Sequence, residues 1–327
     1  MKQILIILMV RTLAIVPLFA QEKPGVPGVQ YPMSRIVPDA EYAITGGSPD
    51  WLAMGEDMVW VNSRPTDIVL RMDPKTSDVV AVVPVKNPCS GLIIGAGTLW
   101  SPSCVENVVY RIDIATNQVV AKIPVGPANN EGGIAFGAGS AWLPSDPKGI
   151  VTRIDPATNS VSAQIKVAPG SFTAIFGYGL VWVSSTDKNL VSVIHPAKNE
   201  VIAEIPVDTA PRFMAAGEGF VWTLNQTRGT VSKIDPVTKK VIATIEAGVP
   251  GTGGDIAAGE GAVWVTARTI PVTRIDPATN QVTAQFIGPG GDAIRVGHGS
   301  VWLSNGRLSS VWRFIPGKIA DVGSTSQ

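Results

Sequence analysis

Residues 137–161 read GAGSAWLPSDPKGIVTRIDPATNSV, and this stretch decides the fold because both of its halves recur along the chain. The first half is a glycine turn followed by a tryptophan in an apolar run. The second half is the phrase RIDPATN, complete at Arg153–Asn159 and again at Arg274–Asn280. Recurrence of such a unit at a nearly fixed period is the sequence signature of a repeat architecture.

Seven tryptophans mark seven copies of this unit. They follow one another at spacings of 38 to 42 residues and are Trp60, Trp100, Trp142, Trp182, Trp222, Trp264 and Trp302. Most copies carry an aspartate after the tryptophan, at Asp73, Asp113, Asp155, Asp235 and Asp276, and His195 takes this place in the fourth copy. The seventh copy keeps the turn and the tryptophan but lacks the RIDPATN phrase.

Each copy holds up to four short apolar runs, which in the fourth are Phe172–Phe176, Leu180–Ser184, Leu190–Ile194 and Val201–Val207. The runs are rich in Val, Ile and Trp and are bounded by Gly, Pro, Asn and Asp, a pattern typical of strands. No apolar pattern of helical period continues over three turns. The sequence therefore predicts an all-β, seven-bladed β-propeller with four antiparallel strands per blade.

The two ends of the repeat array predict how the propeller closes. The seventh copy has only three apolar runs, and an unassigned run, Glu41–Thr45, precedes the first copy. We expect this N-terminal strand to complete blade seven, because pairing the chain ends removes exposed strand edges.

The first 20 residues are typical of a secretory signal peptide, with Lys2, an apolar stretch from Ile4, and Ala20 before Gln21. Arg11 interrupts the apolar stretch, which is too short for a membrane span. The predicted organisation is a signal peptide at 1–20, an extended N-terminal tether at 21–40, the propeller at 41–316 and a polar tail at 317–327. We expect a periplasmic or secreted monomer with no membrane span.

Composition excludes several classes of function. Lys plus Arg number 26, as do Asp plus Glu, so there is no basic excess to bind nucleic acid. Two Cys and two His exclude a four-cysteine zinc site and any centre with three histidines. Cys89 and Cys104 fall on the same face of blade two, and in an exported chain this placement predicts a disulfide.

The motifs G-x-G-x-V-W-V and R-I-D-P-A-T-N-x-V resemble the YVTN-type repeats of seven-bladed propellers, over about residues 41–315. More distantly, the chain is similar to the streptogramin B (virginiamycin B) lyase-like propellers. That second resemblance implies a loop His in a Pro-His phrase and a Glu three residues after the blade Trp. The loop position holds Asp50, Ser90, Gly132, Phe172, Arg212, Gly254 and Asp292 in this chain. The other position holds Ser63, Ser103, Ser145, Ser185, Asn225, Ala267 and Asn305, so we expect the fold without this His/Glu site.

The recurrent glycines and aspartates are interpreted as turn residues, since Gly supplies positive φ and Asp caps backbone N–H groups. His195 and His298 lie in such turns, at the end of the blades opposite the inter-blade loops. We therefore predict no catalytic histidine.

The inter-blade loops and the loops between the second and third strands vary most between copies, and together they form what we call the loop face. Its polar residues are Asp50, Arg64, Asn129, Glu131, Asp146, Arg212, Arg268, Asp292 and Arg307. Carboxylates and guanidiniums in one cluster can bind a polar or anionic ligand through bidentate contacts. The same groups can instead pair with one another or point into solvent.

Two functions stay open at this stage. The first is an exported scaffold that binds a small polar or anionic ligand, or another exported protein, on the loop face without catalysis or cofactor. The alternative is a lyase or hydrolase assisted by Mg²⁺ or Ca²⁺ bound to oxygen ligands, although no D-x-D-x-D spacing supports a dedicated site. Arg212 is the leading residue for binding, because it follows Pro211 at the position of the lyase loop His.

Overall fold

Two kinds of tight turn divide each copy into strands. In six of the seven glycine turns the middle residue adopts positive φ, from 49° at Ala138 to 56° at His298, and the next glycine does the same, whereas the turn of the first copy has aspartate in place of that glycine. Two consecutive residues with positive φ form the turn that matches the twist of a hairpin. In the RIDP turns the aspartate accepts backbone N–H bonds, as Asp155 does from Ala157 at 2.8 Å, and Asn159 adopts a φ of 54°. Both turn interpretations are confirmed.

The computed structural model describes residues 24–76, 78–268 and 270–319. Their strands form seven sheets, each containing four antiparallel strands, and in six of them these four strands are joined in chain order. This confirms the predicted seven-bladed propeller. The predicted signal peptide lies outside the described residues. So does most of the predicted polar tail.

The first three blades have these strands. Blade one contains β3 (Ser48–Met54), β4 (Val59–Arg64), β5 (Ile68–Met72) and β6 (Val79–Pro84). Blade two contains β7 (Ile93–Gly95), β8 (Thr98–Ser103), β9 (Val108–Asp113) and β10 (Val119–Ile123). Blade three contains β11 (Ala135–Gly137), β12 (Ser140–Asp146), β13 (Ile150–Asp155) and β14 (Ser160–Lys166).

Blades four to six follow the same order. Blade four contains β15 (Ser171–Gly177), β16 (Leu180–Ser185), β17 (Leu190–His195) and β18 (Glu200–Pro206). Blade five contains β19 (Pro211–Gly217), β20 (Phe220–Asn225), β21 (Thr230–Asp235) and β22 (Lys240–Glu246). Blade six contains β23 (Asp255–Gly259), β24 (Ala262–Thr266), β25 (Val272–Asp276) and β26 (Gln281–Ile287).

Blade seven closes the ring with strands from both ends of the chain. It contains β27 (Ile294–Gly297), β28 (Ser300–Asn305), β29 (Ser310–Phe314) and the N-terminal β2 (Ala40–Ala43). Strand β2 pairs antiparallel with β29, with Tyr42 opposite Val311. The predicted closure by an N-terminal strand is confirmed, with the strand beginning and ending slightly earlier than the run Glu41–Thr45.

The segment before the closing strand is extended and also docks on the propeller. Strand β1 (Gln30–Pro32) pairs parallel with β26 as a fifth strand of blade six. A 3₁₀ helix, Met33–Arg35, follows it, and the buried Met33 and Ile36 pack in one cluster with Ile319. The predicted tether is therefore part of the packed structure, because its apolar side chains cover blade six. A second 3₁₀ helix is Gly306–Leu308, and residues 316–319 form a helical turn.

The seven recurrent tryptophans form the centres of the blades, each at most 1% exposed. In six of them Nε1 donates to the carbonyl of the glycine five residues earlier, at 3.0–3.2 Å: Trp100, Trp142, Trp182, Trp222, Trp264 and Trp302. The buried ring and its bonded N–H fix the glycine turn against the next strand. Among the described residues no helix is long and apolar enough to cross a membrane.

Candidate functional site

The predicted loop-face residues come from five blades. Asp50 lies on the innermost strand of blade one, and Arg64 ends the strand beside it. Arg212 lies on the innermost strand of blade five. The others lie in connections: Glu131 before β11, Arg268 after β24, Asp292 before β27 and Arg307 in the 3₁₀ helix of blade seven.

A ring of equivalent residues lies at the axis directly beneath the loop face. It takes the fourth residue before the glycine turn in each copy: Trp51, Gly91, Gly133, Thr173, Phe213, Asp255 and Ala293. Trp51 reaches across the channel, with its ring centroid 5.6 Å from that of Phe213 in blade five. The small residues of blades two and three leave room for this ring, since a Cβ on Gly91 would lie 3.4 Å from it. Trp51 and Phe213 therefore close the channel.

The sequence analysis did not identify this ring as a functional feature. Comparison of the seven copies position by position would have revealed it, because two large aromatic residues stand where the other copies have glycine, threonine, aspartate or alanine. Such size variation at one repeat position indicates residues that fill the channel. We call Trp51 and Phe213 together the aromatic plug.

Three carboxylates and Arg64 form a charged cluster above the plug. Arg64 Nη2 donates to Asp50 at 2.5 Å and to Glu131 at 3.1 Å. Burial raises the pKa of Asp50 to about 8, with further contributions from the negative charges of Asp292 and Glu131, while Arg64 opposes the shift. Burial, together with the negative charge of Glu131, also raises the pKa of Asp292 to about 6, while the positive charges of Arg268 and Arg64 oppose the shift. The three carboxylates therefore lie close enough to repel one another, as the convergence of loop positions predicts.

Arg212 lies within electrostatic reach of Glu131 of this cluster, but among the described residues it forms no ion pair with a carboxylate. Its guanidinium carbon is 4.2 Å from the centroid of the Phe172 ring, and Nη1 donates to Gln226 Oε1 at 3.1 Å. Burial lowers the pKa of Arg212, and the positive charge of Arg268 adds to this effect while Glu131 opposes it. Within the described part of the chain no carboxylate lies within 4 Å of the guanidinium of Arg212 or of Arg268.

Two clefts open beside these guanidiniums. The first has a volume of about 480 Å³ and is lined by Arg212, Phe172, Gln226 and Asn129, among other residues. The second has a volume of about 310 Å³ and is lined by Ser48, Arg268, Gly291, Asp292, Gly306 and Arg307. Arginine over an aromatic ring, beside amide groups, is suited to planar anionic groups such as carboxylates.

Other polar residues of the predicted face serve the fold. Asp146 Oδ1 accepts the backbone N–H of Lys148 at 2.7 Å and caps the hairpin of blade three. Asn129 Nδ2 donates to the carbonyl of Ser171 at 3.1 Å, although the residue also lines the cleft of Arg212. His195 and His298 lie in the turns at the opposite end of the blades.

A disulfide joins two loops of the same face. The Sγ atoms of Cys89 and Cys104 are bonded, and their Cα atoms are 5.8 Å apart. Cys89 precedes the first strand of blade two, whereas Cys104 follows its second strand. The bond therefore fixes this edge of the loop face.

The geometry offers no dedicated metal centre within the described residues, where no three His, Cys, Asp or Glu side chains are grouped to hold an ion. Asp50, Glu131 and Asp292 influence one another electrostatically. Arg64 lies among them and contacts two of the three.

The fold is similar to that of several solved structures. A streptogramin B lyase structure matches with a TM-score of 0.70 and 16% identity, over 84% of this chain and 95% of that chain. The hydrazine synthase of Kuenenia stuttgartiensis matches with a TM-score of 0.68 and 13% identity, over 82% of this chain and 95% of that chain. The structure of U3-55K matches with a TM-score of 0.67 and 12% identity, over 82% and 91%.

These likenesses support the predicted distant resemblance to the streptogramin B lyase and, at such low identity, show the fold alone. No protein-family model matches the sequence, and no curated protein matches it. The likeness to YVTN-type repeats stays a prediction.

Proposed function

We propose that the protein is an exported β-propeller whose loop face binds a small anionic ligand without catalysing a reaction. The observation that carries this proposal is the excess of unpaired positive charge around the axis. Arg212 and Arg268 have no carboxylate within 4 Å among the described residues, and Arg307 lines the same surface. A carboxylate or phosphate can accept parallel hydrogen bonds from such guanidiniums.

Protonation of Asp50 in the charged cluster removes a negative charge near neutral pH and so increases the excess of positive charge. Because the pKa of Asp50 is about 8, this carboxyl group is mostly neutral at pH 7. An incoming anion disfavours ionisation of Asp50 and Asp292, so its binding should take up protons. Anion affinity should accordingly fall as the pH rises from about 6 to 9.

Export is supported by the signal-peptide pattern of residues 1–20 and by the disulfide, which is characteristic of oxidising compartments. The ligand in this proposal is a small metabolite with one or two carboxylates or a phosphate.

A second candidate is a lyase or hydrolase assisted by Mg²⁺ or Ca²⁺. It is favoured by the mutual repulsion of Asp50, Glu131 and Asp292, since a divalent cation would relieve it. A cation should displace protons from these carboxyl groups, and its affinity should rise with pH. The two candidates therefore predict proton exchange of opposite sign.

Calorimetric titration at pH 7 in two buffers of different ionisation enthalpy distinguishes them. The probes are succinate, inorganic phosphate, Mg²⁺ and Ca²⁺, added to the mature protein. We expect succinate or phosphate to bind with proton uptake. Metal binding with proton release, together with no binding of either anion, would replace the first proposal by the second.

A further inference from the structure

The outermost strand of each blade is a sheet edge on the rim of the propeller. Such an edge presents unpaired backbone N–H and C=O groups and can pair with another chain, and charged side chains are one common protection against this. The outer strands of blades two, three, four, five and seven each carry at least one Lys or Glu: Lys122, Lys166, Glu200, Lys240 and Glu41, among others.

The outer strands of blades one and six carry no charged residue. In blade six, β26 is covered by β1, which pairs with it along its outer side. In blade one, β6 reads VVAVVP over Val79–Pro84 and ends its sheet. Among the described residues, β6 is therefore the one outer strand that is protected neither by a charged side chain nor by a further strand.

This bare edge exposes apolar side chains together with polar backbone groups. Val79, Val80 and Val82 are 39%, 47% and 57% exposed. The backbone N–H of Val85 donates to the carbonyl of Asp67 at 3.0 Å, in line with the antiparallel pairing of β6 with β5. Because alternate residues of an antiparallel strand bond toward the same neighbour, the N–H and C=O of Val82 point away from β5. They are free to pair with another strand.

The sequence around β6 is complementary to itself. Residues 78–86 read DVVAVVPVK, with an acid at one end, a base at the other and no charge between them. When two copies pair antiparallel about a two-fold axis at Val82, position 78 of each copy lies opposite position 86 of the other. Asp78 then faces Lys86 twice, as a two-fold interface requires.

Both charged groups are accessible for this contact. Asp78 is exposed, and the side chain of Lys86 is 59% exposed. The Lys86 ammonium group contacts Asp67 of its own chain, but it has three N–H donors and can bond a second carboxylate.

We propose that blade one binds a second copy of this chain by antiparallel pairing of β6 with β6 about Val82, which makes the protein a two-fold dimer in place of the expected monomer. A second copy is favoured over a strand of another protein because the segment complements itself. The two Val82 residues exchange both of their backbone hydrogen bonds, whereas Pro84 has no N–H to donate and limits the length of the ladder. A contact this short should give a weak dimer, with a dissociation constant on the order of micromolar.

Sedimentation velocity of the mature protein, from about 5 to about 500 µM, tests the dimer. We expect the sedimentation coefficient to rise with concentration toward that of a dimer. Val82→Lys places a charge in the middle of the bare edge, as Lys122 does in β10, and should raise the dissociation constant about tenfold or more. Because Val82 is exposed, the melting temperature of this variant should stay unchanged. Ile242→Lys, at a similarly exposed position of β22 in blade five, is the matched control and should dimerise normally.

Cross-linking tests the register of the pairing. In an antiparallel hydrogen-bonded pair the two Cα atoms are about 5.5 Å apart, a distance that a disulfide spans. Val82→Cys introduces the only free thiol, because Cys89 and Cys104 are bonded to each other. Mild oxidation of this variant should yield a covalent dimer on a non-reducing gel. Ile242→Cys should cross-link no faster than random collisions allow.

Three results would overturn the proposal: a monomer at every concentration, dimerisation that Val82→Lys leaves unchanged, or cross-linking of Val82→Cys no faster than that of Ile242→Cys. The second result would place the dimer contact on another surface. Arg212→Ala should dimerise as the unchanged protein does, since the rim of blade one lies away from the axis. Failure of this proposal is therefore distinguishable from failure of the loop-face proposal.

Discussion

Arg212 is the residue on which the anion-binding proposal depends most directly. Replacing it with alanine should weaken binding of succinate or phosphate by about 2 kcal/mol, roughly thirtyfold, because a charge-assisted hydrogen-bond pair is lost. Calorimetric titration at pH 6, where we expect anion binding to be strongest, gives the dissociation constants.

His298→Ala provides the control for this variant. It changes a turn at the opposite end of the blades, and alanine already occupies the equivalent left-handed position at Ala96 and Ala138. We expect unchanged anion affinity. If His298→Ala weakened binding and Arg212→Ala did not, the ligand site would lie on the opposite face.

Asp50 makes the stability of the protein depend on pH. Its pKa is raised from the ordinary 3.8 to about 8 in the folded chain, so the folded state binds this proton more tightly than the unfolded state. The resulting stabilisation is complete below pH 4 and is lost as the pH rises through about 8. Asp50→Asn cannot ionise and retains an acceptor for Arg64, so it should remove much of this loss, on the order of a few kcal/mol.

Melting temperatures at pH 5 and pH 9 measure this effect. The difference between the two should be smaller in Asp50→Asn than in the unchanged protein. Asp146→Asn, a carboxylate of the same face outside the cluster, should leave the difference as it was. Parallel behaviour of Asp50→Asn and the unchanged protein would show that Asp50 is ionised throughout this range.

At the residue scale, the sequence identified the members of the charged cluster but not their environment. Equivalent repeat positions converge on one axis, and that geometry brings Asp50 and Asp292 together, whereas Arg212 lines a separate cleft. The plug residue Trp51 was missed because it belongs to no recurring motif. Burial and the Phe172 ring beside Arg212 could not be predicted either, since both depend on side chains from different blades.

At the scale of single elements, the closing strand β2 is the most consequential. Tyr42 is 2% exposed, and its ring lies 5.7 Å from that of Trp302 in the same blade. Tyr42→Ala should lower the free energy of unfolding by about 3 kcal/mol through loss of this buried ring. Chemical denaturation measures the change.

Glu41→Ala, at an exposed position of the same strand, is the control, because it removes only an exposed hydrogen bond from Trp312 and should cost less than about 1 kcal/mol. Deletion of residues 41–45 is the stronger test, because it leaves β29 as an unpaired edge. We expect aggregation or a much lower melting temperature. An unchanged melting temperature would mean that blade seven does not need this strand.

The disulfide of blade two is a second element with a direct test. Titration of thiols in the denatured, unreduced mature protein should find none. Reduction should then lower stability by about 3 kcal/mol, the value expected for a closed loop of this length. Two free thiols before reduction would contradict the bond and restore Cys89 and Cys104 as reactive groups.

The elements were largely predictable because hairpin turns have strict local requirements. The glycine turns and RIDP turns fixed where strands end, and the count of apolar runs fixed four strands per blade. The docking of Gln30–Pro32 on blade six was not predictable, since a short segment flanked by prolines carries no alternation of its own. Its position depends on the apolar surface that blade six leaves uncovered.

At the scale of the whole molecule, the propeller presents two faces with different chemistry. The loop face concentrates charge around the axis. A cavity of about 260 Å³, the axial cavity, lies on the axis toward the turns and is apolar apart from the ion pair of Asp255 and Arg295. The aromatic plug formed by Trp51 and Phe213 separates the loop face from the axial cavity. A seven-fold scaffold with one variable residue per blade at the axis thus places surfaces of different chemistry at the two ends of the channel.

The closure of blade seven also determines the order in which the chain can fold. Trp312 Nε1 bonds the carboxylate of Glu41 across a separation of 271 residues in sequence. During synthesis the N-terminal strand emerges first, yet its partner β29 is made last, and contacts between such distant segments form slowly. We therefore expect strand β2 to pair after the other strands of blade seven have formed, although it is made before them.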